Sequence, residues 1–196
     1  MTSEGFSLLK SKVLAELDKK LNPQLTYHCR EHTEDVLFHT RRIALSEHIS
    51  HPRLLLLMQI AALFHDTGFI DTYGGHEERS CEIMANELQP YEFKDEDLLL
   101  MKKMIMATKV PQSPVTLQEM VLCDADLDYL GREDFTVINK RLRNELLSFG
   151  FIKDPDEWNE LQVKFLTKHR YFTVSSSTLR EPVKQHHLLS LRQNFV

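Results

Sequence analysis

The stretch Leu54–Phe69 reads "LLLLMQIAALFHDTGF": an almost unbroken apolar run that closes on His65 and Asp66. It opens just after Pro52, a residue suited to a first helical turn, and meets a stop near Gly68. Apolar side chains on every side predict a central helix wrapped by others rather than a surface helix. Leu54–Phe64 is too short to cross a bilayer. An imidazole and a carboxylate are costly to bury without partners, so the end of this helix must hold something.

The segments around it repeat the helical pattern. Phe6, Leu9, Val13, Leu17 and Leu21 recur at threes and fours and end at Asn22-Pro23. A second helix carries His32, Val36, Thr40 and Ile43 on one face. After the central helix comes the turn-rich "IDTYGG", then a helix from about His76 to Leu88 and one that turns Leu98, Met101, Met104 and Ile105 inward. Thr116 and Glu119 form a capping-box pattern, opening a sixth helix expected to run through "MVLCDADLDYLG" to Gly131. A seventh spans roughly Asp134 to Phe149, Asp154-Pro155 opens an eighth, and the tail from Ser177 supplies one more. Only "FTVSS", 172–176, offers a short strand. The expectation is an all-α bundle of eight or nine helices in one domain, residues 1–196.

Composition narrows the function classes. Of 196 residues, 42% are apolar and 27% charged, as in globular proteins. The net charge of −5 argues against a nucleic-acid polymer as partner, since such domains carry a basic face. Cys29, Cys81 and Cys123 show no CxxC spacing, which fits neither a disulfide framework nor a zinc ribbon and suits a reducing cytoplasm. No apolar leader core stands in "MTSEGFSLLKSK", so neither a membrane nor secretion is expected.

His65-Asp66 gains meaning from two other segments. Upstream, "YHCREHTEDV" sets His28 and His32 one helical turn apart if the second helix reaches back that far; downstream, "VLCDADLDYLG" sets aspartates where an inward-facing helix should be apolar. Each segment thus places ionisable groups in an apolar context, and one shared metal ion would compensate them all. The order His, His-Asp, Asp resembles the HD-domain superfamily of metal-dependent phosphohydrolases. "YHCREHTEDV" is similar to its YHxxxHxxDV segment, found also in the cyclic-nucleotide phosphodiesterase branch. "LFHDTGF" is similar to its HDxG helix end, and "GGHEERSCEIMANEL" to the HExxS segment of its small bacterial members. The likeness covers about residues 27–131, with helices from 132 to 196 expected to pack on that core.

The resemblance implies a metal held by His32, His65, Asp66 and Asp124, with Asp126 the alternative fourth ligand. Two imidazoles and two carboxylates suit a divalent ion such as Mn, Mg, Fe, Co, Ni or Zn. "MATKVP", with Thr108 and Lys109, stands where dinuclear members supply further histidines, so one ion per chain is expected. By the same likeness His28 is the candidate general acid, His76 and Glu77 lie beside the active site, and Lys109 or Arg132 would contact a substrate phosphate. Asp128 is expected to be exposed or capping, and His169 a core histidine. The implied activity is hydrolysis of a phosphate ester or anhydride, with a small phosphorylated molecule such as a nucleotide as substrate. A non-catalytic metal- and nucleotide-binding module is the alternative. A di-iron oxygenase, known from another branch, needs more ligands than "MATKVP" offers. Metal identity and oligomeric state, a homodimer included, stay open.

Overall fold

The computed structural model describes residues 1–193 and is all-helical; positions 194–196 of the expected domain lie outside the described residues. Among the described residues nine α-helices follow one another: α1 Ser3–Lys20, α2 Arg30–Ser46, α3 Pro52–Phe64, α4 His76–Glu87, α5 Asp95–Ala107, α6 Leu117–Asp126, α7 Phe135–Ser148, α8 Pro155–Lys168 and α9 Val174–Gln193. Two 3-10 turns, Thr67–Ile70 and Asp128–Gly131, follow α3 and α6.

α3 is the axis. Its second half, from Leu57 onward, is buried, with Ile60 through Phe64 fully enclosed, and α1, α2, α4, α5 and α6 all pack on it. The one stretch among the described residues apolar and long enough by composition to cross a bilayer, Pro52–Ile70, is thus this core helix and its following turn. A second, smaller core gathers Tyr27, Leu127, Tyr129, Leu130, Phe135, Leu166, Tyr171 and Leu188, joining α7, α8 and α9 to the turn after α6.

The expected caps form. Thr116 Oγ1 accepts from the Glu119 amide at 3.4 Å while the Glu119 carboxylate accepts from Thr116 N at 3.4 Å and Val115 N at 2.7 Å. Asp154 accepts from the amides of Asp156 and Glu157 at the head of α8. Two boundaries differ from the sequence reading. α6 ends at Asp126 rather than near Gly131, since Leu127 leaves helical geometry (φ −108°, ψ 18°) and the chain tightens into a 3-10 turn. The "FTVSS" segment is no strand: α9 begins at Val174, and Ser177 N already bonds to Thr173 O.

Two glycines set close approaches. A Cβ on Gly68 would fall 2.0 Å from the carbonyl oxygen of His76, so only glycine lets α4 sit against the turn after α3. The Gly68 amide donates to Ser80 Oγ at 2.8 Å, fastening the same contact. A Cβ on Gly131 would fall 2.4 Å from the carbonyl of Arg180, which brings α9 against the second turn.

Candidate metal centre

Two helix C-termini and one helix N-terminus converge on a single point. α3 ends in His65-Asp66, α6 ends in Asp126, and His32 stands in the first turn of α2. His32 Nε2 lies 3.2 Å from His65 Nε2, 3.2 Å from Asp66 Oδ2 and 3.2 Å from Asp126 Oδ1. His65 Nε2 lies 3.2 Å from Asp66 Oδ2 and 3.6 Å from Asp126 Oδ1. His65 is fully enclosed, and His32, Asp66 and Asp126 nearly so.

The donor chemistry fits a cation. His65 Nδ1–H donates to the Ala62 carbonyl at 2.8 Å, which leaves Nε2, facing the Nε2 of His32, as the ring nitrogen that could ligate an ion. Asp66 Oδ2 is buried and has no hydrogen-bond partner among the described residues. His32, His65 and Asp66 each offer a ligand atom within 4.8 Å of the others. Helix C-termini carry partial negative charge, so the ends of α3 and α6 add to the two carboxylates in attracting a positive ion. Burial works against charge on each group, but the mutual contacts prevail. They push His32 up to about 9 and His65 well above its ordinary value, and hold Asp66 well below the usual carboxylate range and Asp126 at about 2.

The fourth member is Asp126, and the preference for Asp124 is corrected. Asp124 is fully buried but turned away, accepting from Phe172 N at 2.8 Å, Thr173 N at 2.8 Å and Thr173 Oγ1 at 2.6 Å, just ahead of α9. Burial raises it to about 6, these hydrogen bonds opposing part of the rise. Its function is to fasten the chain entering α9 to α6.

Around the cluster stand the other expected residues. His76, first residue of α4 after left-handed Gly75, donates from Nδ1 to Tyr73 O at 3.1 Å; its Nε2 lies 3.5 Å from Asp66 Oδ1 and 3.6 Å from Glu77 Oε1. Burial lowers and Asp66 raises the His76 pKa, with a net rise. The two oxygens of Asp66 therefore face different partners, Oδ2 the His32–His65 pair and Oδ1 His76. The Phe69 ring stacks between His28 and His76, at 4.1 and 3.8 Å between ring centres.

Sequence reasoning missed the residue that holds His28. Glu145 of α7, fully buried, accepts from His28 Nδ1, from Tyr73 Oη at 2.9 Å, and from the amides of Tyr27 at 2.8 Å and His28 at 3.0 Å. Burial disfavours its charge, but His28 and the two amides keep its pKa below the ordinary glutamate value. Flanked by Asn144 and following Arg141 and Arg143, Glu145 reads in sequence as part of a solvated face.

Lys109 lies at the rim, half exposed and paired with Glu78. Arg132, expected to meet a phosphate, does not: it is committed to Asp35, at 2.7 Å, and to Asp134. Asp128, expected to be exposed, is fully buried between Arg42 at 2.7 Å and Arg180 at 2.8 Å, with His39 Nδ1 at 3.2 Å.

A cavity of about 480 Å³ opens from the cluster. His28, Asp66, His76, Glu77 and Asp126 line one end, and Leu142, Leu146, Trp158, Leu161 and Phe165 of α7 and α8 line the other. Gln162 also lines it, 3% exposed, with neither end of its amide partnered among the described residues. Comparison of the chain with protein-family models, curated proteins and solved structures yields no match.

Proposed function

We propose that this chain is a metal-dependent phosphohydrolase, acting on a phosphorylated small molecule in the cytoplasm. The observation that carries the reading is the convergence of His32, His65, Asp66 and Asp126 beside a cavity that the two carboxylates line. A divalent cation held by these four supplies Lewis acidity toward a phosphoryl oxygen and lowers the pKa of a water. The HD-superfamily likeness of the ligand order supports the same assignment.

The chain's own groups supply the rest. His28, tied at Nδ1 to Glu145, keeps Nε2 free to deliver a proton to the departing oxygen. The buried carboxylate fixes the ring's orientation, so that Nε2 is presented for proton transfer. His76 and Glu77 stand on the other side of Asp66, placed to orient a water or phosphate oxygens by hydrogen bonding. Phe69 stacks on both imidazoles and so helps fix their orientation. The His28–Glu145 pair favours catalysis over simple ligand retention, because a module that only binds has no use for an oriented proton donor.

Stripping the protein with a chelator should abolish hydrolysis of phosphate esters, and Mn²⁺ or another divalent ion should restore it. His65→Ala should lose at least a hundredfold in kcat/KM while its helical circular dichroism is retained; full activity in a folded His65→Ala protein refutes the assignment.

A further inference from the structure

We propose that the α7–α8 end of the cavity is a subsite for the organic group of the substrate, that this group is predominantly apolar, and that it carries a single phosphate. The inference rests on the phosphohydrolase reading and narrows its substrate class.

Charge decides the phosphate count. Asp66, Asp126 and Glu77 line the metal end of the cavity and Glu145 lies behind His28, so the surroundings are already rich in carboxylates. Lys109 is the only lysine or arginine lining the cavity among the described residues, and it sits at the rim paired with Glu78. Arg132 is bound to Asp35 and Asp134 and does not line it. A diphosphate or triphosphate brings further anionic oxygens that need cationic partners when desolvated, and beyond His28 and His76, which serve the first phosphate, this wall offers only the paired Lys109.

Packing decides the organic group. Leu142 and Leu146 are only half-buried, Leu142 resting on the second core, and Leu161 is 44% exposed; all three line the cavity. Trp158 and Phe165 complete a wall in which aliphatic and aromatic surface predominates. A cavity of this size and lining is that of a site for small, largely apolar ligands. An occupant that reaches from the cluster to α8 removes this surface from water, and the few polar groups on this wall, chiefly the Gln162 amide and Asn139, are too sparse to satisfy a hydroxyl-rich group.

Unbranched alkyl phosphates test the idea, because chain length changes apolar area while the leaving oxygen stays chemically alike. With the Mn²⁺-restored full chain, kcat/KM should rise by up to about fourfold per methylene, so that hexyl phosphate exceeds ethyl phosphate by about thirtyfold or more. Trp158, the sole tryptophan, gives a readout independent of turnover. Its emission should report hexylphosphonate binding at least about tenfold tighter than ethylphosphonate. Leu142→Gln, and separately the more exposed Leu161→Gln, should each reduce the hexyl-to-ethyl ratio. Equal turnover of the two esters, or a preference for adenosine triphosphate over hexyl phosphate, overturns the apolar subsite and leaves the hydrolase standing. No hydrolysis of any ester, with hexylphosphonate still bound more tightly than ethylphosphonate, overturns the hydrolase and leaves the subsite.

Discussion

At the scale of single residues, Asp124 and Asp126 show how two carboxylates a step apart take opposite duties. Asp126 faces the imidazoles and Asp124 the amides that lead into α9. Asp126→Asn should lower metal affinity by about ten- to a hundredfold or more, as loss of an anionic ligand outweighs the loss of an outer partner. Asp124→Asn should keep the metal and cost about 1–3 kcal/mol of stability. Metal content by mass spectrometry and urea unfolding separate the two, and reversed results would restore Asp124 as the ligand. Glu145 makes a second prediction. In Glu145→Gln the His28 ring loses the carboxylate that orients it, so kcat should fall about tenfold or more while KM changes little. Unchanged kcat in a folded variant would mean Glu145 serves structure alone. His65-Asp66 was legible because charge at the end of an apolar run stands out. Asp126 over Asp124 was not, because what settles it is Thr173, 49 positions away in sequence. Glu145 was hidden for a like reason: its partners Tyr27, His28 and Tyr73 lie far from it in the chain.

At the scale of elements, the helices were readable from apolar spacing and caps, down to the Asp154-Pro155 start of α8. What the spacing misplaced were ends that depend on tertiary contact, namely the stop of α6 at Asp126 and the start of α9 at Val174. Both lie at the joint between the two cores. That joint is held by Asp128, enclosed between Arg42 of α2 and Arg180 of α9. Removing one member of a buried ion group leaves uncompensated charge, so Asp128→Asn should destabilise by about 3–5 kcal/mol in urea unfolding. A loss below about 1 kcal/mol would show the network to be dispensable. Because the same turn carries Leu127, Tyr129 and Leu130 into the cavity wall or second core, the variant should also loosen α9 first, seen as earlier amide exchange there than in α3.

For the whole molecule, the cluster ties stability to pH in two different ways. In metal-stripped protein His32 is raised above its unfolded value of about 6.5 to about 9. A raised histidine contributes stability that is fully present below pH 6.5 and is lost as pH climbs through 9. The contribution is about 3 kcal/mol, or about 6–12 °C in Tm for a chain of this size. Metal loading reverses the slope, since ligands must shed protons to bind, and protein with ion should gain stability from pH 6 to 8. Calorimetry of both forms should show Tm values diverging as pH rises; parallel curves would mean that no ion binds at this point. The contact at Gly68 bears on how such a centre can change over generations. With main chain resting on main chain, the gap between the His65 side and the His76 side is gauged by the backbone itself. Side chains on either flank can therefore be exchanged, retuning reactivity, while the spacing of the two halves stays fixed like a machined shim.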